Sequence, residues 1–276
     1  MIMQDGEDLQ IRDDERLTVQ QLRAKAAYHM AIFHRRNWYA ATDLLTRAVQ
    51  QAPEDPLALA MRASMATQMV PLIPFREIGT LSKGAMIMAE KAVSIGPRID
   101  FVLRTRGNLR LWLEKDHEGC RADCNRALSL NPNFHLTHLS LATSEILDGQ
   151  PEAGLDRLNH MIRTALDGPQ HPYFLTLAAL GHFQLGRYGD AKTNALEALE
   201  LNPLSSWGSF IYVLMHSDDA VKQADHRFRQ ALSRSDLPKS HLRDMPFSDP
   251  VLVEDLEHRL EAAEPLDLSP DRIDSE

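Results

Sequence analysis

Small and apolar residues recur along the chain at helical spacing. A small residue is followed four positions later by a small or apolar one, and three positions further by a third, usually alanine. Such steps place the three residues on one face of an α-helix, where small side chains let a second helix approach closely. Six copies precede a proline or polar turn: Ala41, Leu45, Ala48 before Pro53; Ala85, Ala89, Ala92 before Pro97; Cys120, Cys124, Ala127 before Pro132; Gly154, Leu158, Met161 before Gly168–Pro169; Ala191, Ala195, Ala198 before Pro203; Ala224, Phe228, Ala231 before Ser235–Pro238.

The prolines give the pattern a period. Proline cannot continue the hydrogen-bond ladder of a helix, so each trio marks a helix that ends a few residues later. Pro97 and Pro132 are 35 residues apart, and Pro169 and Pro203 are 34 apart. The interval from Pro53 to Pro97 is 44 residues, which leaves room for an insertion. A helical hairpin repeated about every 34 residues is therefore predicted.

Two segments carry a resemblance to a known repeat. Residues 185–191 (LGRYGDA) and 198–203 (ALELNP) resemble the inter-helix turn and second-helix end of the tetratricopeptide repeat, and 127–132 (ALSLNP) repeats that ending. The usual tryptophan and leucine–glycine positions of the first helices are mostly replaced. The resemblance covers about residues 20–236 and implies an all-α solenoid whose concave face binds protein segments.

This interpretation divides the chain into three parts. Residues 1–17 are predicted to be a disordered acidic lead, 18–263 the repeat domain, and 264–276 a disordered tail. The domain is predicted to hold about six hairpins, with an insertion loop at 70–79 that contains two prolines. A last helix at about 249–263 is expected to cap the open end of the solenoid, with Asp249 as its N-cap and Pro250 at its first position. The predicted helix pairs are 18–34 with 38–51, 55–69 with 80–95, 99–114 with 117–130, 133–148 with 151–166, 172–185 with 188–201 and 204–216 with 219–234.

Composition excludes several function classes. The 276 residues are 43% hydrophobic and 25% charged, as in ordinary globular proteins. A net charge of −9 disfavours nucleic-acid binding through the whole surface. No apolar segment is long enough to cross a bilayer and no secretion signal is recognisable, so a cytoplasmic location without membrane attachment is expected. The two cysteines, four residues apart on one helix, are badly placed for a disulfide with each other.

A metal site is the first candidate for chemistry. His117, Cys120 and Cys124 fall on one helical stripe and could supply soft ligands to zinc. The favoured interpretation is core packing, because the cysteines occupy repeat positions that alanine fills elsewhere and no fourth ligand is evident. His135 and His138 form a second weak pair, and no nucleophile or phosphate-loop motif occurs in the sequence. We therefore predict a non-catalytic protein without a cofactor, and a metal-dependent hydrolase is the least favoured alternative.

An arginine cluster is the second candidate. Arg104, Arg106 and Arg110 share part of one helical surface, with Arg98 just upstream. They could grip an acidic peptide or a phosphate group. The alternative is a solvated face on which Glu114 pairs with Arg110 at i,i+4.

The inner-facing positions of the first helices, taken from the family resemblance, predict a partner-binding groove. An apolar lining with scattered hydroxyls would suit a helix or extended peptide with apolar anchors. The Lys/Asn clamp by which some family members bind chaperone tails is not reproduced, since Ala26 and Met30 stand at its first two positions. The competing expectation is that the insertion or the C-terminal helix fills the groove itself. The predicted binding residues are Arg106, Leu109, Trp112, Leu139, Thr143, Tyr173, Thr176, Leu180 and Phe183, with Ala26, Met30, Phe33, Thr105 and Ile146 on the same face.

The sequence thus favours a cytoplasmic scaffold that binds another protein or a peptide segment, with oligomerisation possible. A second function class comes from a narrower resemblance. The run 106–108 (RGN), the long second unit and the segment 245–250 (MPFSDP) resemble the helical repeats that follow bacterial class III adenylate/guanylate cyclase and winged-helix regulator domains. That resemblance implies a regulatory or sensory module in cyclic-nucleotide or transcriptional signalling.

Overall fold

The computed structural model describes residues 17–31, 35–68, 75–164, 170–203, 205–217, 226–234 and 241–263. Within these ranges the chain is all α-helical and has no strand, which confirms the predicted fold class. The helices are α1 (Val19–Ala31), α2 (Arg35–Gln51), α3 (Pro56–Gln68), α4 (Phe75–Ile95), α5 (Asp100–Leu109), α6 (His117–Leu130), α7 (His135–Leu147), α8 (Pro151–Thr164), α9 (His171–Gln184), α10 (Tyr188–Leu201), α11 (Ser206–His216), α12 (His226–Arg234), α13 (His241–Asp244) and α14 (Pro250–Ala263).

Consecutive helices pair as six hairpins, α1 with α2 through to α11 with α12. Each first helix also contacts the first helix of the next hairpin, so α3, α5, α7, α9 and α11 form a continuous inner row. The six trios explain the pairing, because the described members lie at helix–helix contacts and are almost fully buried. Those that lose all solvent contact are Ala41, Leu45, Ala48, Ala89, Ala92, Cys120, Cys124, Ala127, Leu158, Ala195 and Phe228.

Glycine permits the closest contacts between helices. A Cβ on Gly154 in α8 would lie 2.5 Å from Ile146 Cγ1 and 2.9 Å from the Ala142 carbonyl oxygen, both on α7. A Cβ on Gly107 in α5 would lie 3.2 Å from Cys124 Sγ on α6. A methyl group at Gly154 would force α7 and α8 apart, whereas one at Gly107 would require its neighbours to shift by a few tenths of an ångström.

In three hairpins the turn between the two helices contains a residue in the left-handed backbone conformation. Gly149 and Gly186, at φ 72° and 68°, end the first helices of hairpins 4 and 5. In hairpin 3 a lysine takes this role, since Lys115 has φ 55° and follows one π-helical turn over Arg110–Glu114. A side chain in this region costs roughly 1–2 kcal/mol relative to glycine. The Lys115 ammonium gains a hydrogen bond in exchange, donating to the Arg243 carbonyl oxygen at 2.8 Å.

Two predicted boundaries need correction. Helix α4 begins at Phe75, so residues 75–79, predicted as the end of the insertion loop, are helical. Gly79 lies within this helix, because a glycine in a helix costs only about 1 kcal/mol and does not end it. Leu17, placed in the disordered lead, is buried in the core. The rest of the predicted lead, the remainder of the loop and the predicted tail lie outside the described residues.

Helix α14 packs against α11, the first helix of the last hairpin. Its start is as predicted: Val251 N donates to Asp249 Oδ1 at 2.9 Å, and Pro250 is the first helical residue. Leu256 and Leu260, one helical turn apart on α14, are both buried.

Candidate binding groove on the inner row of helices

The predicted apolar lining of the groove lies in the protein core. The described residues of that set other than Met30, Arg106 and Tyr173 are no more than 6% exposed, and most belong to one continuous hydrophobic cluster. Phe33 is outside the described residues. An apolar surface open to a partner is therefore not formed by these side chains. The buried lining residues are Ala26, Thr105, Leu109, Trp112, Leu139, Thr143, Ile146, Thr176, Leu180 and Phe183.

Arg106, a predicted groove residue, is held by two carboxylates on second helices. Its guanidinium binds Asp123 on α6 through Nη2 at 2.6 Å and Nε at 2.8 Å, and Glu90 on α4 through Nη1 at 3.0 Å. Arg110 shares both partners, with Nη1 at 2.9 Å from Asp123 Oδ2. The hydrogen bond to Asp123 raises the pKa of Arg106. These two arginines therefore tie α5 to the second helices of hairpins 2 and 3, and the expected pairing of Arg110 with Glu114 is replaced.

The C-terminal segment 241–263 runs along the turn ends of hairpins 3 to 5. The His117 Nε2 atom lies 2.8 Å from the Pro246 carbonyl oxygen. Ser248 then donates its backbone N–H to the Leu147 carbonyl at 2.9 Å and its hydroxyl to Asp148 Oδ1 at 2.5 Å. The predicted cap thus reaches well beyond the last hairpin.

Helix α14 completes this cover at hairpin 5. The guanidinium carbon of Arg259 lies 4.6 Å from the ring centroid of Phe183 and 5.7 Å from that of Tyr188. Leu242 and Met245 are buried together with Leu256. The segment therefore covers Phe183, one of the predicted groove residues, which supports the expectation that the chain fills part of its own groove.

A row of polar side chains crosses the inner helices α3, α5, α7 and α9, away from the contact between segment 241–263 and Phe183. Asn108 on α5 donates from Nδ2 to Thr67 Oγ1 on α3 at 3.0 Å and accepts from Ser140 Oγ on α7 at 3.3 Å. Ser140 Oγ also accepts from Arg104 Nε at 3.1 Å. On α9, Tyr173 hydrogen bonds with Thr143 of α7. We call Thr67, Asn108, Arg104, Ser140, Thr143 and Tyr173 the polar ladder.

The ladder combines deep burial with residual access to solvent. Asn108, Arg104 and Tyr173 are partly exposed, while Thr67, Ser140 and Thr143 are buried. Burial lowers the pKa of Arg104 and raises the pKa of Tyr173 to about 12, although Arg104 lowers the latter by its charge. A positive charge near Tyr173 thus lies in a poorly hydrated environment, which strengthens its interaction with any anion that reaches it.

The candidate zinc ligands His117, Cys120 and Cys124 do not come together as a metal site, because the histidine and the two cysteines have separate hydrogen-bond partners. Cys120 and Cys124 are free and buried, and their mutual hydrogen bond together with burial raises the pKa of Cys120. Both imidazole nitrogens of His117 are engaged in hydrogen bonds, Nδ1 with Ser144 Oγ at 3.1 Å and Nε2 with the Pro246 carbonyl oxygen. Neither nitrogen is therefore available to a metal beside the thiols. Among the residues the structure describes, no cluster of three or more His, Cys, Asp or Glu could hold a metal ion.

The sequence analysis missed most of the ladder. Arg104 was singled out for its charge and Thr143 and Tyr173 for their inner-facing register, but Thr67, Asn108 and Ser140 were not recognised. The available signal was the i,i+4 spacing of Arg104 and Asn108, which places both on one face of α5.

Comparison with known proteins supports the architecture. No protein-family model and no curated protein matches the sequence. Among solved structures, TTC0263, a thermophilic TPR protein in Thermus thermophilus, is 19% identical, with 67% of this chain and 92% of that chain covered and a TM-score of 0.52. PilW, a type IV pilus biogenesis factor, is 16% identical, with 88% and 98% covered and a TM-score of 0.54.

A chain of the APC/C hetero-tetramer Cut9–Hcn1 aligns over 94% of this chain and 45% of its own length, at 12% identity and a TM-score of 0.59. The chain has the tetratricopeptide-repeat fold. At these identities the likeness establishes the TPR fold alone. Within the described ranges, no helix combines the length and apolar character needed to span a bilayer.

Proposed function

We propose that this TPR-fold protein is a non-catalytic interaction module that binds an extended segment of another protein along the polar ladder. The observation that carries the proposal is the ladder itself, which joins the first helices of four successive hairpins and keeps Asn108, Arg104 and Tyr173 partly exposed. TPR solenoids are extended stacks of hairpins with concave binding surfaces. An extended backbone placed there would find amide, hydroxyl and guanidinium groups at successive helices.

The proposal differs from the sequence-based expectation in the chemistry of recognition. The apolar residues predicted as anchors already pack in the core, so burial of new apolar surface contributes less than polar recognition. The ladder lies on α3, α5, α7 and the start of α9, away from the contact that covers Phe183 near the end of α9. We expect the bound segment to lie across these four helices.

Site-specific photo-crosslinking tests this location. A photo-reactive amino acid replaces Asn108 in one variant and Ile87 in the other, and purified protein is incubated with peptides selected from a randomised library. Ile87 is the matched control, because it is 70% exposed on α4, a second helix. Peptide crosslinks at position 108 and few at position 87 are expected. Equal labelling, or labelling at position 87 alone, would place binding on the outer surface and refute the proposal.

A regulatory role for segment 241–263 is a second candidate, favoured by how the segment is held. Polar contacts from Lys115, His117 and Asp148 hold residues 243–248, while the apolar contacts are concentrated at Leu242, Met245 and α14. A partner that displaced this segment would expose more of the inner row. Hydrogen exchange of 241–263, measured with and without selected peptide, tests this: faster exchange with peptide supports displacement, and unchanged exchange contradicts it.

A further inference from the structure

Arg104 differs from most arginines of the hairpins because no carboxylate of the described residues lies near it. Arg62 on α3 likewise donates to a hydroxyl, Thr46 Oγ1 at 2.9 Å, but the negative charge of Asp43 acts on it. Each of five others binds a carboxylate at 3 Å or less: Arg23 with Asp55, Arg106 and Arg110 with Asp123, Arg121 with Asp148, and Arg157 with Glu145. Arg104 donates from Nε to Ser140 Oγ, and no carboxylate in the described part of the chain pairs with it. Its two Nη groups carry four further N–H donors without a partner among the described residues.

Arg104 combines reduced hydration with the absence of a nearby negative charge among the described residues. Burial lowers the pKa of Arg104, and the groups whose charges would offset this are Cys124, Cys120 and Tyr173. The pKa values of Cys120 and Tyr173 are raised, so both groups are uncharged at neutral pH and supply no negative charge. A guanidinium nevertheless stays protonated in proteins. Poorly solvated charges without a counter-ion are destabilising, and such sites are candidates for function.

We propose that Arg104 binds the side-chain carboxylate of an aspartate or glutamate within the bound segment. The inference rests on the proposed function and specifies which peptides the ladder recognises. A guanidinium presents paired N–H donors that match a carboxylate in a bidentate geometry.

The position of Arg104 within the ladder favours an internal acidic residue over a chain terminus. Thr67 and Asn108 extend the ladder toward α3, and Thr143 and Tyr173 extend it toward α9. A segment that contacts both arms must continue on both sides of its carboxylate. A phosphate group fits less well, because it carries up to two charges and the nearby Arg106 and Arg110 are already neutralised by Asp123 and Glu90.

Affinity measurements with defined peptides test the inference. Peptides selected from a randomised library are resynthesised with an amidated C-terminus, and each internal Asp or Glu is replaced by Asn or Gln in turn. For the wild-type protein, one such replacement should weaken binding roughly tenfold or more, as expected for a charged hydrogen bond. With Arg104→Gln the same replacement should have little effect, whereas Arg98→Gln, an exposed arginine just before α5, should behave as wild type.

The outcomes separate this inference from the proposed function. Peptides that crosslink at position 108 but bind equally well with or without an acidic residue would overturn the role of Arg104 and leave the groove intact. Loss of binding on C-terminal amidation, or selection of only phosphorylated peptides from a phosphopeptide library, would also overturn it. If no peptide binds the ladder, both proposals fail.

A folding control excludes a merely structural role. Arg104→Gln should retain the melting temperature of the wild type or exceed it, because the substitution removes a charge that lacks a counter-ion. A variant that melts far lower and keeps the acidic preference would show that Arg104 acts in packing alone.

Discussion

The contact between α7 and α8 predicts the effect of one methyl group. Gly154→Ala would place a Cβ 2.5 Å from Ile146 Cγ1 and 2.9 Å from the Ala142 carbonyl oxygen. The Ile146 side chain could change rotamer, but the carbonyl belongs to the backbone of α7 and moves only with that helix. Relieving the contact therefore requires the two helices of hairpin 4 to separate by several tenths of an ångström.

Two opposing effects determine how much Gly154→Ala changes the free energy of unfolding. Overpacking of a close-packed contact costs roughly 1–3 kcal/mol. Alanine is a better helix former than glycine by about 1 kcal/mol. Since the tightest unavoidable contact is with backbone, we expect an overpacking cost of roughly 2–3 kcal/mol. After subtraction of the gain in helix propensity, Gly154→Ala should lower the free energy of unfolding by about 1–2 kcal/mol. For a chain of this size that corresponds to a fall in melting temperature of roughly 2–8 °C.

Gly84→Ala is the matched control, because Gly84 also lies within a helix and nothing is within 4 Å of its added Cβ. Gly84→Ala carries no overpacking cost and keeps only the gain in helix propensity, so its melting temperature should equal or exceed that of the wild type. Thermal unfolding followed by circular dichroism compares the two variants. If Gly154→Ala were as stable as Gly84→Ala, α7 and α8 would not be in the close contact on which the reasoning depends.

Three further predictions concern charged and titrating groups. Asp123→Asn removes the buried carboxylate that two arginines share and should cost about 3 kcal/mol in chemical denaturation, whereas Glu118→Gln on the exposed face of the same helix should change little. Tyr173 has a raised pKa of about 12, so its contribution to stability is present below the ordinary tyrosine pKa of about 10 and is lost as pH rises through 12; Tyr173→Phe should remove that alkaline loss and the matching component of an ultraviolet absorbance titration. Burial would raise the pKa of Asp148, but the hydrogen bonds from Ser248 and an arginine outweigh it and lower that pKa, so this contribution is present above the ordinary aspartate range and lost in acid. Ser248→Ala should therefore be less stable than wild type at neutral pH, and the two stability curves should converge as pH falls; a constant gap would contradict the linkage.

The hairpins could be predicted from the amino-acid sequence because they follow from local rules. Spacing of four and three residues fixes which side chains share a helical face, and proline fixes where a helix stops, so both are local properties of the chain. Ala195 and Cys124 were placed at helix contacts on this basis, and both are fully buried. The same local logic predicted the start of α14 from Asp249 and Pro250.

Which side chains remain available to a partner depends on how the hairpins stack. The register of a helix tells which residues face inward, but not whether another segment lies over them. Phe183 was predicted to face the groove, but its ring is buried and is covered by Arg259, which is 76 positions further along the chain. Likewise, Arg104 and Arg106 are neighbours in sequence, yet Asp123 and Glu90 neutralise the second and leave the first without a carboxylate. Charge pairing depends on which helix lies opposite each side chain, and that information arises only in the folded solenoid.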